Sequence, residues 1–452
     1  MRIPHNINQS TLQVYTPSTD TTDLIGEQSR KLVSENFEWD KNQCHSLKEY
    51  CVAAIAKYFK DKPLLKELPC EDLVYLLDIL PLDLPLEFII PLIDNEHYWE
   101  RRFVDAFKYN WRTKPVGWDW KTLYLERHCQ KMVEEAEPQY EDEQTFDEIL
   151  ELCNLYVKRL FVEQLQMWKP PLTMEKEDIP EIWPIQHISF IPILKKLNNL
   201  EEFDLIFGMK NVGVDFEWNM FKVSPADCQK LGKAFQDHQN LRIIRIHRSK
   251  LEFRHCQALI QGLVGHHTVQ VLDLSHCKIG DTGALCCAYL LKTGTNLKTL
   301  NLSNNDIGKI GSEGIGFAML QGNCEMLHEL NLRCNPLGTE GVMGIMRAVV
   351  RCAIPKILCI AACSFEDETA VKICQMLKLN DTLKELDISA NWIGDDIGDM
   401  LVESLESNEI IEKLDVRETD ISSEQLGKIQ EILKRNVESA LLAKLNPSGE
   451  DI

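Results

Sequence analysis

Along the C-terminal half of the chain, leucine-type residues return with a period of 28 to 30. Counted from the first apolar position, the units begin at Leu241, Val269, Leu297, Leu327, Pro355, Leu383 and Ile411, with steps of 28, 28, 30, 28, 28 and 28. Each follows L-x-x-L-x-L-x-x-N/C/T-x-L, clearest at Leu297, Leu300, Leu302, Asn305 and Ile307. The L-x-x-L-x-L segment alternates with period two and is too brief for a helix, so it predicts a strand. The stretch behind it carries helical spacing, as at Ala284, Ala288 and Leu291, and predicts a helix.

One strand and one helix cannot bury their apolar faces alone, whereas stacked neighbours share a continuous core. A fixed period of this length with this internal spacing marks a leucine-rich-repeat solenoid. The expected fold is therefore α/β: a ribonuclease-inhibitor-like horseshoe with parallel strands on the concave side and helices on the convex side, preceded by a small, mostly helical domain. A helix is about 10 Å wide and strands lie about 4.8 Å apart, so such a stack must curve.

Two sets of positions follow from the register. At the ninth place of each unit stand Asn305, Asn335 and Asn391, with Cys277 and Cys363 as substitutes and Ser249 and Thr419 at the ends. These side chains are expected to turn inward as a ladder and satisfy backbone groups that the strand leaves behind, a structural role. The third, fifth and seventh places are expected to face the concave solvent side. They supply the candidate protein-binding set Arg245, His247, Asp273, Asn301, Glu329, Asn331, Arg333, Glu385, Asp387, Lys413, Asp415 and Arg417. Residues 242–255 (RIIRIHRSKLEFRH) form a basic stretch that would steer an acidic partner or pair with the acidic run between Glu134 and Glu151.

Upstream of the repeats the pattern changes. Residues 1–43 are polar and expected to be a flexible tail. Residues 44–168 read as a helical, aromatic-rich domain, where Leu73, Leu76, Leu77 and Leu80 share one helix face and Pro81, Pro85 and Pro91 interrupt the chain. Residues 169–184, with four prolines, read as a linker. The solenoid is placed at 185–445, with an irregular first repeat around Leu200, Phe203 and Leu205, an insertion at 208–224 and a C-terminal helical cap. Residues 446–452 are expected to fray.

Composition narrows the functional class. The formal charge of −21 argues against nucleic acid, whose binding rests on Lys and Arg neutralising phosphates, and against anionic membranes. No apolar stretch is long enough to span a bilayer, and the N-terminus lacks the apolar run of a secretory signal, so a cytoplasmic protein is expected. The 16 cysteines are scattered without a C-x-x-C and are expected to be reduced thiols acting as small hydrophobes. The chain contains no H-E-x-x-H, no G-x-S-x-G and no Gly-rich loop ending in Gly-Lys-Ser/Thr. His266-His267 stands without a nearby carboxylate or thiol at ligand spacing. Neither an enzyme activity, a metal nor a cofactor is expected.

Two stretches carry a likeness to a known family. One is LPLDLPLEFIIPLIDNEHYWERRF at 80–103 with WDWKTLYLERH at 118–128. The other is VDFEWNMF at 214–221, beside repeats beginning LDLSHCKIGDTGA and LNLSNNDIG. Together these resemble the T-complex-associated testis-expressed protein family, the leucine-rich-repeat subunit five of the nexin–dynein regulatory complex. The resemblance implies a non-enzymatic linker subunit in the axoneme of motile cilia and flagella, with other linker subunits, notably coiled-coil ones, as partners and an indirect doublet-microtubule attachment. A competing reading is an F-box-like substrate adaptor of a ubiquitin ligase, suggested by Leu68-Pro69, Leu73 to Leu80, Trp99 and Trp118 ahead of a repeat array. Prolines 81, 85 and 91 fit that reading poorly.

Overall fold

The computed structural model describes residues 46–107, 117–138, 143–170, 173–175, 177–179, 181, 186–210, 212–213, 218–321 and 324–445. The two expected tails, Trp111, residues 139–142 of the acidic run, parts of the proline-rich linker and residues 214–217 of the insertion lie outside these. The chain divides into two compact units, residues 1–84 and 85–452.

In the first unit, helix α1 (Leu47–Lys57) opens on a capping box. Ser46 Oγ accepts the Glu49 amide at 3.2 Å, and the Glu49 carboxylate accepts the Ser46 amide at 2.7 Å. Two of the four otherwise unpaired amide donors of the first turn are met in this way. Helix α2 (Cys70–Ile79) ends where Leu80-Pro81 turns extended. Val52, Ala56, Leu76, Leu77 and Leu80 are buried, in line with the shared leucine face read from the spacing.

The second unit begins with helices α3 (Leu86–Ile89), α4 (Glu96–Ala106), α5 (Trp120–Glu135) and α6 (Glu143–Cys153), and then enters strand β1 (Arg159–Val162). Helix α7 (Phe190–Lys196), β2 (Glu202–Leu205), a 3-10 turn (Trp218–Phe221), α8 (Pro225–Asp237) and β3 (Ile243–Ile246) follow. From there the two-element unit repeats regularly: α9 (Phe253–Leu263), β4 (Val271–Asp273), α10 (Gly280–Lys292), β5 (Thr299–Asn301), α11 (Lys309–Gln321) and β6 (Glu329–Asn331). The series ends with α12 (Gly338–Cys352), β7 (Ile357–Cys359), α13 (Asp367–Leu379), β8 (Glu385–Asp387), α14 (Asp395–Glu406), β9 (Lys413–Asp415) and α15 (Ser423–Leu445).

The nine strands among the described residues form a single parallel sheet in chain order. The register advances by one repeat without slip, so Leu272, Leu300, Leu330, Leu358, Leu386 and Leu414 lie side by side. Each is buried, as are Leu160, Phe203 and Ile244 at the same level. This stack is the hydrophobic core, and it fixes the register because a one-residue slip would expose every leucine.

The sheet starts earlier than the repeat pattern. Strand β1 lies inside the 44–168 segment read as a helical domain, so the expected boundary at 168 does not coincide with an edge of the sheet. Helix α5 packs along that edge. Glu126 accepts the amides of Lys158 and Arg159 at 3.2 and 3.0 Å, and Glu134 accepts the amide of Glu163 at 2.8 Å. An edge strand offers unpaired amides to any passing chain; here two carboxylates, eight residues apart on one helix, take the Arg159 amide and those flanking the strand at Lys158 and Glu163.

The aromatic segment builds the rest of this cap. Tyr98, Trp99, Phe103, Trp120 and Tyr124 are buried together, with Trp99 and Tyr124 rings 5.4 Å apart and Phe103 and Trp120 also 5.4 Å apart. Lys121 is buried among them. Its ammonium donates to Ile90 O at 2.7 Å and Tyr156 Oη at 3.0 Å, pairs with Asp94, and lies 4.4 Å from the Tyr156 ring centroid. A buried ammonium is tolerable only with such a full set of acceptors.

Candidate interaction face of the sheet

The repeat turns explain how the face is made. The eighth residue of all seven regular units is left-handed: Arg248, His276, Asn304, Cys334, Ala362, Ala390 and Glu418 have φ between 51° and 58°. That reversal points the ninth side chain inward. Asn305, Asn335, Cys277 and Cys363 are fully buried and Asn391 nearly so.

Each ladder residue reaches back one repeat. Asn305 Oδ1 accepts the Cys277 amide at 2.8 Å and its Nδ2 donates to Leu274 O at 2.8 Å. Asn335 does the same for the Asn305 amide and Leu302 O, and Asn391 for the Cys363 amide and Ile360 O. The thiols substitute as donors: Cys277 Sγ lies 3.1 Å from Ile246 O, and Cys363 Sγ lies 3.3 Å from Leu332 O. Burial pushes both thiols up to about 12, so they stay protonated and able to donate. All fifteen described cysteines are free. Ser249 Oγ likewise reaches back, accepting the Phe207 amide at 2.9 Å while donating to His247 O, whereas Thr419 bonds within its own turn.

On the concave side the third and fifth places are half-buried to exposed, as the alternation predicts. The seventh place departs from expectation. Ser275, Ser303, Ala361 and Ser389 are buried, and only the longer His247, Arg333 and Arg417 reach out from it. Exposure there follows side-chain length, since serine and alanine end short of the surface while histidine and arginine extend past it; a separate contact also recurs at this place. In five units the fifth-place side chain, Asp273, Asn301, Asn331, Asp387 or Asp415, accepts the amide of the seventh residue at 2.8 to 3.1 Å. This Asx-type turn bends the strand end inward. The recurrent Asp/Asn at that place, two residues before a turn, was the available signal.

The charged candidates are also engaged with one another. Arg245 pairs with Glu202, His247 Nε2 lies 2.8 Å from Asp204 Oδ1, and Asn301 Nδ2 donates to Asp273 at 2.8 Å. Lys413 Nζ lies 3.1 Å from Glu385, and Arg417 grips Asp415 through Nε and Nη2 at 2.6 to 3.0 Å. Arg333 spans two repeats to Asp387, 3.8 Å away, which also receives the Cys359 thiol at 3.3 Å and the Ser389 hydroxyl at 2.7 Å. The Arg417 guanidinium holds the Asp415 carboxyl below its usual range. Glu329 receives the Thr299 hydroxyl at 3.4 Å. The basic stretch at 242–255 therefore finds its acids on and beside β2, where Arg242 also lies 3.6 Å from Glu201; among the described residues none of these pairs involves the 134–151 run.

Among the described residues no group of three or more His, Cys, Asp or Glu side chains is arranged to hold a metal ion, and no helix is long and apolar enough to cross a membrane. His266 Nε2 bonds the backbone carbonyls of Phe235 and His238 at 3.1 and 2.8 Å, which gives that histidine a structural role.

The leucine-rich-repeat family model matches residues 265–286, 295–316, 323–346 and 379–402. Dynein regulatory complex subunit 5 of Mus musculus is 33% identical over 274 residues, covering 57% of this chain and 54% of that protein. The subunit of the same name from Chlamydomonas reinhardtii is 30% identical over 206 residues, covering 46% and 48%. Ribonuclease inhibitor of Sus scrofa is 26% identical over 214 residues, covering 40% and 46%. The chain thus spans about half the length of the curated relatives it matches. Its repeats, its in-step parallel sheet and these likenesses together make the chain a leucine-rich-repeat solenoid protein related to dynein regulatory complex subunit 5.

Proposed function

We propose that this chain is a non-enzymatic scaffold subunit of a dynein regulatory complex, the nexin–dynein linker between outer doublet microtubules of motile cilia and flagella. In this reading it contributes to the control of dynein-driven sliding by holding other subunits at fixed positions. The observation that carries the proposal is the resemblance to dynein regulatory complex subunit 5 in animals and an alga alike. A nine-strand sheet without a register break supports it physically, because each repeat is braced by its neighbours and the array transmits load as one stiff body.

The partners are other linker subunits, coiled-coil ones first, seated on the concave row from Arg245 to Arg417. A long helical rod presents charged flanks that can exchange with the pairs on this face, and such exchange favours specificity over raw affinity. With a net charge of −21, direct adhesion to the acidic surface of tubulin is disfavoured, so attachment to the doublet is indirect.

The test is a tagged copy expressed in ciliated cells, followed by detergent extraction and cross-linking mass spectrometry of the axonemes. The expected result is a signal retained on the axoneme, with cross-links from Lys413 to other complex subunits. A diffuse signal lost on extraction would overturn the proposal.

A further inference from the structure

The helical side of the solenoid is not uniformly packed. Helices α8 and α9 are in backbone contact through a glycine pair: a Cβ on Gly262 would lie 2.1 Å from Gly232 O. Helix α11 is drawn onto both neighbours, with Gly314 against Leu285 and Gly316 against Gly344 O. Between α9 and α10 no glycine meets backbone, and these two helices pack more loosely than α8 with α9 or α10 with α11. The spacing left behind is an open groove of about 1320 Å³, lined mainly from α8, α9 and α10. It exceeds the ~300–1,000 Å³ of a small-ligand site.

Its lining mixes apolar side chains with the amides of Gln229, Gln236, Gln257 and Gln261, and its charge is one-signed. Phe253, Leu285 and Tyr289 line it at 44, 40 and 58% exposure, with Leu285 and Tyr289 one helical turn apart on α10. Single exposed hydrophobics are ordinary, but a contiguous set in a groove marks an interaction site. Lys230 and Lys233 line it from α8, and neither makes an ion pair among the described residues. No lining residue is acidic, in a chain with 70 Asp and Glu among 452 residues. A partly apolar trough with a cationic wall, set in an otherwise acidic protein, is complementary to one kind of occupant.

We propose that the groove running over α9, between α8 and α10, docks an amphipathic helix whose apolar stripe seats on Phe253, Leu285 and Tyr289 and whose acidic flank meets Lys230 and Lys233. This is helix-in-groove recognition, read by anchors at i, i+3, i+4 and i+7. It lies on the opposite side from the concave row and stands independently of the ciliary reading.

Cys286 gives the test a built-in reporter, because it lines the groove as a half-buried free thiol, whereas Cys334 is exposed beside Arg333 at the concave rim. The probe is a synthetic amphipathic helix of about 20 residues, some 30 Å long, with a leucine stripe and a glutamate flank; its twin carries lysine instead. Binding to the full chain is read by fluorescence anisotropy, and protection from maleimide is read by mass spectrometry. The acidic helix is expected to bind about tenfold tighter than the basic one and to protect Cys286 but not Cys334. The double variant Lys230→Glu/Lys233→Glu is expected to reverse that preference, and Leu285→Glu to abolish binding of both; all three sites are at the surface, and an unchanged melting curve confirms folding. No binding by the acidic helix, equal binding of the two helices, or protection of Cys334 instead of Cys286 would each overturn the proposal. So would a self-associated chain in sedimentation whose Cys286 is already protected without peptide, since a second copy would then be the occupant.

Discussion

The Oδ1 of Asn335 accepts two backbone amides of the preceding repeat, those of Asn305 at 2.8 Å and Ile307 at 3.1 Å. Its Nδ2 donates to Leu302 O at 2.9 Å and Leu332 O at 2.8 Å. One fully buried amide thus satisfies four backbone groups that no strand partner reaches. Asn335→Leu keeps the volume, orphans three of them and leaves Leu332 O only the Cys363 thiol. Each buried unpaired group costs about 1–3 kcal/mol, with relaxation recovering part, so a loss of about 3–5 kcal/mol is expected in chemical denaturation. An unchanged midpoint would refute the ladder as a stabilising device.

Backbone contact between helices makes a second, opposite pair of expectations. Gly262→Ala places a methyl 2.1 Å from Gly232 O, where neither backbone can yield without moving a whole helix. A loss of about 2–3 kcal/mol is expected, as for other overpacked sites. Gly427 sits in helix α15 with nothing near its would-be Cβ. There alanine restricts the unfolded chain and suits a helix better, so Gly427→Ala is expected to stabilise by about 0.5–1 kcal/mol. Thermal melts of the two variants, run side by side, check both signs.

The regular part of this fold was legible because one constraint is repeated seven times. The starts at Leu241 through Ile411, the strand–helix alternation and the inward ladder at Asn305, Asn335 and Asn391 all follow from a period that a single sequence displays. Strand β1 was not legible, since Arg159–Val162 is an isolated instance, and an isolated tetrapeptide carries no periodic signal. Its recognition depends on Glu126 and Glu134 of a distant helix. At the third and fifth positions the side chains stand half-buried to exposed, as period-two alternation implies, and their part in binding is a proposal. At the seventh, side-chain length decides as well as alternation: Ser275, Ser303, Ala361 and Ser389 are buried, while Arg333 and Arg417 extend outward. The convex groove was invisible in the repeat: it depends on where glycines such as Gly232 and Gly262 happen to face one another.

Glu126 ties stability to pH. Burial pushes its carboxyl up to about 7, although Arg159 and the two amides it accepts pull the other way. Because the folded pKa lies above the unfolded value of roughly 4.3, the native state holds the extra proton between the two. Stability therefore falls as pH rises through that window, by at most about 1.4 kcal/mol per unit, and levels off above it. Glu126→Gln keeps an oxygen for the Lys158 and Arg159 amides but does not titrate. The difference in denaturation midpoint between wild type and this variant is expected to shift in favour of the variant from pH 5 to pH 7.5. A pH-independent difference would show that Glu126 is ionised throughout.

The concave row separates binding from stability when its pairs are taken one at a time. Arg333 and Arg417 are exposed and reach into solvent from the seventh place, so Arg333→Glu with Arg417→Glu is expected to leave the melting temperature within about 1 °C, as for other surface changes. Under the proposed function, cross-linking to axonemal subunits is expected to fall severalfold, with a shallower dependence on salt, because the removed charges would no longer attract across the proposed interface. Arg245→Glu behaves differently. Its partner Glu202 is partly shielded on the neighbouring strand, so a second carboxylate there adds like-charge repulsion across the β2–β3 pair. This variant is expected to lose both stability and capture, and to regain stability alone when Glu202→Lys is added. If the double reversal also restores capture, the pair acts only as a brace for the sheet and the binding row begins further along, at Asp273.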